Sequence, residues 1–227
     1  MSAASASHAP PPHGTAPPAT EPSPLLEPWG SLQRQRQGVA FGTWVFLGSE
    51  ALLFGGLIMA VVVMRALNPA AFAAAGHETN VVFGTVNTAI LLTSSLSMAV
   101  AAEASRAELR TATLRGLAIT WLLGLSFLVV KGFEYREDIH EHLIPGPNFP
   151  LAEPSAQIFF ALYWIMTALH AIHMTAGLTV VAWLTWQGWS GRRPLRSPAY
   201  EAVALYWHLV DIVWVFLYPL FYLGGRT

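Results

Sequence analysis

Residues 155–186 read SAQIFFALYWIMTALHAIHMTAGLTVVAWLTW, a run that contains no Asp, Glu, Lys or Arg. About 20 apolar residues cross the hydrocarbon core of a bilayer as an α-helix, so this run is long enough to span. Nothing polar divides it into two helices. Four further segments share its character. Val39–Met64 holds one charge, Glu50, and Val81–Ala102 holds none. Ala202–Gly225 holds only His208 and Asp211, and Leu117–Val130 is short between Arg115 and Lys131. Both of those long basic chains are able to snorkel, which lets the short helix extend at either end. Lipid offers the backbone no hydrogen bonds, so each segment must be a helix. The expected fold is all-α: a polytopic membrane helix bundle with five transmembrane helices, at about 39–66, 81–103, 113–134, 155–186 and 200–224.

Composition agrees. The chain is 54% hydrophobic and 11% charged, where a soluble domain carries about 25% charged residues. A net charge of −1 leaves no basic surface for phosphates, so nucleic acid is not an expected partner. The absence of Cys excludes disulfides and thiolate chemistry. Residues 1–28 contain eight Pro but no basic or apolar signal region. Residues 1–37 are expected to be a disordered Pro/Ala-rich tail and 38–227 the membrane domain. A tail that anchors to a partner is the alternative. Five spans place Arg34, Arg36, Arg106, Arg110, Arg115, Arg192, Arg193 and Arg196 on one side and Arg65, Lys131, Arg136 and Arg226 on the other. That bias puts the N-terminus in the cytoplasm and the C-terminus, with the acidic loop 134–153, outside. The second span is rich in small and polar residues, which suit close helix packing. No transporter-like repeat is visible.

Ionisable residues inside lipid require a reason. Glu50 falls near the middle of its span. It reads either as a proton-exchanging or gating carboxyl, or as a neutral acid hydrogen-bonded to another helix. His170 and His173 share a helix face, as do His208 and Asp211, with Glu201 two turns earlier. Two such pairs are enough for a four-ligand metal site, as on the facing helices of carboxylate bundles, but those bundles use Glu-x-x-His plus further Glu residues, which this chain lacks. The two His of the fourth span are only ~4.5 Å apart along the axis, a poor arrangement for haem. Interhelical hydrogen bonding is expected instead, with Asp211 paired to His208 or His170. His140 and His142 belong to the outer loop. Trp183, Trp186 and Trp189, and Tyr218 and Tyr222, read as interfacial aromatic belts.

Five segments carry a family resemblance: FLGSEALLF at 46–54, NTAILL at 87–92, KGFEY at 131–135, HAIHMTAGL at 170–178 and YWHLVDIVW at 206–214. In this order, from about Gly38 to Gly224, they resemble haem–copper oxidase subunit III in its short five-helix form. The resemblance implies a subunit without catalytic residues, metal or redox cofactor of its own. The haems and copper would lie in partner subunits, in subunit I beside it and in subunit II. It implies bound phospholipid, support of proton uptake and of subunit I stability, and a place in the bacterial cytoplasmic (inner) membrane. Glu50 matches a buried carboxyl of the family. Glu134 and Tyr135 match a Glu-Tyr pair at a helix end, and His170, His173, Glu201, His208 and Asp211 match polar positions of the last two helices.

The longer family form has two more N-terminal helices that close a lipid cleft. Here the tail stands in their place, so the lipid sites are incomplete or walled by another chain. Arg106, Arg110, Arg192, Arg193 and Arg196 are candidate phospholipid head-group contacts, although positive-inside bias explains them equally. Ser-Glu at 49–50 leans toward cytochrome c oxidase rather than quinol oxidase, and nitric oxide reductase accessory subunits are a third branch. Association with other respiratory complexes stays open. The rivals are a small proton-coupled transporter using Glu50 and Asp211, and a metal-binding membrane enzyme using the His pairs.

Overall fold

The computed structural model describes residues 31–147, 149–151 and 155–224, without the Leu32 side chain. Residues 1–30, most of the expected tail, lie outside the described residues. Helices run α1 Leu32–Leu67, α2 Pro69–Glu78, α3 Val81–Arg106, α4 Arg110–His140, α5 Ala156–Trp189 and α6 Ala199–Tyr218, which passes into a π-helical turn at Pro219–Leu223. Five of them are long and apolar enough to cross a membrane, as the sequence predicts. Leu32–Gln37, expected as tail, is instead the start of α1, because the Ser31 side chain accepts from the Arg34 N–H and caps the helix.

Two other differences follow from local chemistry. Asn68-Pro69 opens an unexpected short helix, α2, with Pro at the first turn, where no N–H is required. The supposed outer loop beginning at Glu134 is helical as far as His140. Helix α4 continues because Lys131, Glu134 and Asp138 keep one polar face turned into the protein. Helices α3, α4 and α5 end alike. Glu108 (φ 58°), His142 (φ 58°) and Gly191 (φ 68°) adopt the left-handed conformation. The next N–H then reaches back into the last turn: Leu109 to Ala104, Leu143 to Asp138 and Arg192 to Gln187. Only Gly191 announces this in sequence.

Helices α3, α4, α5 and α6 pack in that cyclic order, and α1 lies along α5 and α6. The core is aromatic, with Phe127, Phe160, Tyr163, Trp207 and Trp214 all at most 1% exposed. Outward on α1 stand Phe41 (73% exposed), Leu52 (79%) and Met59 (61%). Such a surface is compatible with lipid or a neighbouring membrane helix, not with water. Helix α3 is buried on one face only, through Gly84, Asn87 and Ser94, while Thr85 and Thr93 stay exposed. Those threonines return their hydroxyls to Val81 and Ala89 carbonyls of their own helix.

Candidate functional site

A buried polar cluster joins α4, α5 and the final turn. Lys131, 2% exposed, does not snorkel. Its ammonium donates to the hydroxyls of Tyr163 (3.0 Å) and Tyr222 (2.7 Å) and lies 3.1 Å from Glu134 Oε2. The Tyr163 hydroxyl is 2.9 Å from Glu134 Oε1 and 2.8 Å from Asp138 Oδ2. Tyr222 donates to Glu134 Oε1. Tyr222 is therefore a buried ligand of this cluster and not part of an aromatic belt. Burying three ionisable groups is tolerable only with this degree of pairing and hydrogen bonding. Tyr135 donates to Thr167 Oγ1 at 2.8 Å, extending the network along α5. Sequence reasoning missed Lys131, Asp138, Tyr163 and Tyr222. The available signal was the spacing of Lys131, Glu134 and Asp138 at i, i+3 and i+7 on one helix face.

A second, partly buried pair joins α1 to α5. Glu50 Oε2 lies 2.8 Å from His173 Nε2, and His173 Nδ1 donates to the Leu169 carbonyl at 2.8 Å. A hydrogen on Nδ1 leaves Nε2 either as an acceptor from a neutral Glu50 or as a donor to its carboxylate. An amide serves the first arrangement, since its NH₂ still donates to Nε2. Glu50→Gln is accordingly expected to keep folded yield and stability within about 0.5 kcal/mol, whereas Glu50→Leu should lose roughly 1–3 kcal/mol by stranding the imidazole. Thermal unfolding in detergent measures both. Loss of the folded protein in Glu50→Gln would show the pair to be ionic.

The remaining histidines diverge. His208 Nδ1 is 2.7 Å from Ser95 Oγ on α3. His170 packs between the rings of Phe127 and Trp214, at 5.4 and 5.2 Å between centroids. Asp211, 3% exposed, lies beside Ser95 and bonds to neither His208 nor His170, contrary to expectation. The i, i+3 spacing aligns the two residues on α6, but Ser95 of the facing helix takes the imidazole. Among the described residues no three His, Asp or Glu side chains gather as metal ligands. The His pairs thus do not form the four-ligand arrangement their spacing allowed.

At the opposite end, where α1, α5 and α6 meet the Arg-rich loops, the arginines divide. Arg106 binds Glu201 (3.1 Å) and Glu103 (3.3 Å), and Arg196 binds Glu108 (2.8 Å). Glu201 is thus a half-exposed partner at the helix end, not an intramembrane group. Arg110 donates to the Trp189 carbonyl at 2.6 Å. Arg192 and Arg193 lie over the Trp186 and Trp183 rings, at 4.5 and 5.2 Å. Arg36, Arg106 and Arg196 line a polar recess of about 370 Å³. A small cavity shares Arg36 and Glu201 with this recess, and shares Thr43 and Ala202 with an apolar groove of about 460 Å³ that lies between α1, α5 and α6 beside Phe46, Val180 and Tyr206.

The family model of cytochrome c oxidase subunit III matches residues 31–226, the whole helical part. The chain belongs to that family. Relatives agree in extent. Cytochrome c oxidase subunit 3 of Synechocystis is 30% identical over 81% of this chain and 74% of its own length. That of Bacillus sp. PS3 is 30% identical over 82% and 86%. The haem–copper oxidase subunit I+III of Aeropyrum pernix is 32% identical over 79% of this chain, which spans 22% of that protein. Subunit III membership makes this a multi-pass membrane protein of a haem–copper oxidase. The five quoted motifs all fall on the membrane helices: Glu50 on α1, Asn87 on α3, Lys131 and Glu134 on α4, His170 and His173 on α5, and His208 and Asp211 on α6.

Proposed function

We propose that this chain is the redox-inactive subunit III of a cytochrome c oxidase, holding phospholipid against subunit I. It sustains proton uptake and protects the complex during turnover while the haems and copper of subunits I and II do the chemistry. The Aeropyrum relative, whose name joins subunits I and III, supports direct contact with subunit I. Its place is the bacterial inner membrane with the N-terminus cytoplasmic. Removing buried Lys131 from the outer count leaves eight basic residues against three, Arg65, Arg136 and Arg226, which strengthens the bias. Ser49-Glu50 favours cytochrome c over quinol as the family's donor type.

One observation supports the lipid role: the arginine recess and an apolar groove along α1 flank one small cavity, which shares lining residues with each. A phosphate faces Arg36, Arg106 and Arg196, while an acyl chain lies along Phe46, Val180 and Tyr206. In the purified complex, Arg36→Gln combined with Arg196→Gln is expected to lower retained phospholipid by about one molecule per complex, read by native mass spectrometry. It should also shorten the active lifetime during turnover. Unchanged lipid stoichiometry would refute the head-group assignment. Haem or copper held by this polypeptide alone would refute the wider reading.

A further inference from the structure

The cluster around Lys131 has more oxygen contacts than phenolic hydrogens to fill them. Tyr163 meets both Glu134 and Asp138, and Tyr222 meets Glu134, making three short oxygen–oxygen contacts. Two hydroxyls supply two hydrogens, and the ammonium donates to the two hydroxyl oxygens and lies 3.1 Å from Glu134 Oε2, so it places no hydrogen in the three contacts. One further proton is needed between the oxygens. Glu134 Oε2 sits 3.1 Å from the ammonium, whereas Asp138 has no cation as close among the described residues. A proton on Asp138 also leaves the buried cluster neutral, one ammonium against one carboxylate, which minimises the cost of burial.

We propose that Asp138 bears a proton in the resting protein and that Asp138, Tyr163, Glu134 and Lys131 form a proton-binding site. The Asp138 hydroxyl donates to the Tyr163 oxygen, and Tyr163 and Tyr222 donate to Glu134 Oε1. Asp138 also lines a polar cleft of about 300 Å³, beside Asn80, Glu137 and Glu141, which connects the site to water. The charged and titratable groups facing Asp138 come from every neighbouring element. Helix α4 contributes Lys131, Glu134, Glu137 and Glu141, α5 contributes Tyr163, and the final turn contributes Tyr222. Helix α2 contributes His77 and Glu78 across the cleft. Three carboxylates, Glu78, Glu137 and Glu141, thus line the same cleft as Asp138. Release takes the proton from Asp138 to water in the cleft, and re-binding reverses it. This site lies at the far end of the bundle from the arginine recess and does not depend on the lipid assignment.

The chain has two aspartates, Asp138 and Asp211, so ¹³C-labelled aspartate gives two infrared reporters. In labelled Asp211→Asn protein, purified in detergent, Asp138 is the sole reporter. The expected spectrum at neutral pH contains a labelled carboxylic-acid band that shifts in D₂O and converts to carboxylate as pH rises. A labelled carboxylate signal without an acid band overturns the proposal. Should Asp211→Asn fail to fold, labelled wild type against labelled Asp138→Asn decides equally. Loss of an acid band in the variant supports the assignment, and spectra with equal or absent acid bands overturn it. Tyr163→Phe should move the Asp138 acid band to the frequency of a weaker hydrogen bond, and an unmoved band would contradict the Asp138–Tyr163 contact.

Discussion

Lys131→Met is expected to be among the most destabilising single substitutions in this chain, at roughly 3–5 kcal/mol, the cost typical of removing one member of a buried ion pair. Methionine matches the length of the lysine stem, so packing against Tyr163 and Trp214 is largely kept. What changes is electrostatic. Glu134, 1% exposed, loses the ammonium 3.1 Å away, and the Tyr163 and Tyr222 hydroxyls lose their donor. The chain has no second cation in contact to compensate among the described residues. Adding Glu134→Gln to the variant should recover more than half of the loss, because the stranded charge is then gone. Chemical or thermal unfolding of the four proteins of this double-mutant cycle gives the coupling directly. A Lys131→Met protein within about 0.5 kcal/mol of wild type would mean that the cluster is not paired as described.

The same residue explains how far the sequence could be read. Five spans were legible because each is a long apolar run, and lipid leaves the backbone no other solution. The family was legible because Ser49-Glu50, Lys131 to Tyr135 and the His-rich runs of α5 and α6 stand at fixed places on those spans. Lys131 was misjudged because a basic residue near the end of an apolar run usually snorkels. Here α4 runs on to His140, so Lys131 lies well inside the helix and meets Tyr163 and Tyr222, which are far away in sequence. The Glu50–His173 contact and the separation of Asp211 from both histidines were equally out of reach. Helical spacing fixes which residues share a face, but only the packing of α1, α3, α5 and α6 decides what each face meets. The arginines show the complementary limit. Their positive-inside placement was plain, yet which of them bind Glu103, Glu108 and Glu201 depends on loop geometry.

Gly116→Val should rank beside Lys131→Met, for a steric reason. Helices α3 and α4 approach each other closely because small residues line their contact. A Cβ at position 116 would stand 2.8 Å from Ala101 Cβ, 3.1 Å from Ala101 Cα and 3.1 Å from the Ser97 carbonyl. Two of those three atoms belong to the α3 backbone, so no side-chain rotation relieves them. The Gly116 carbonyl also accepts from Ser97 Oγ at 2.8 Å and from Thr120 Oγ1 at 2.9 Å, and separating the helices breaks the first of these. Overpacking of this kind costs roughly 1–3 kcal/mol, and the two extra methyl groups of valine place the change at or above the upper limit. Gly132 provides the internal comparison on the same helix. A Cβ there meets nothing within 4 Å, so Gly132→Ala should be neutral or stabilise by up to about 1 kcal/mol through helix propensity. The two substitutions therefore pull in opposite directions although both lengthen a glycine in one helix. Gly124→Ala falls between them, because the atoms it meets are the ends of the Trp207 and Leu178 side chains, at 2.7 and 3.0 Å, which have some room to shift. Unfolding measurements on all three would rank contact with backbone above contact with side chain and contact with side chain above open space. A Gly116→Val protein as stable as Gly132→Ala would show that α3 and α4 do not approach as closely as described.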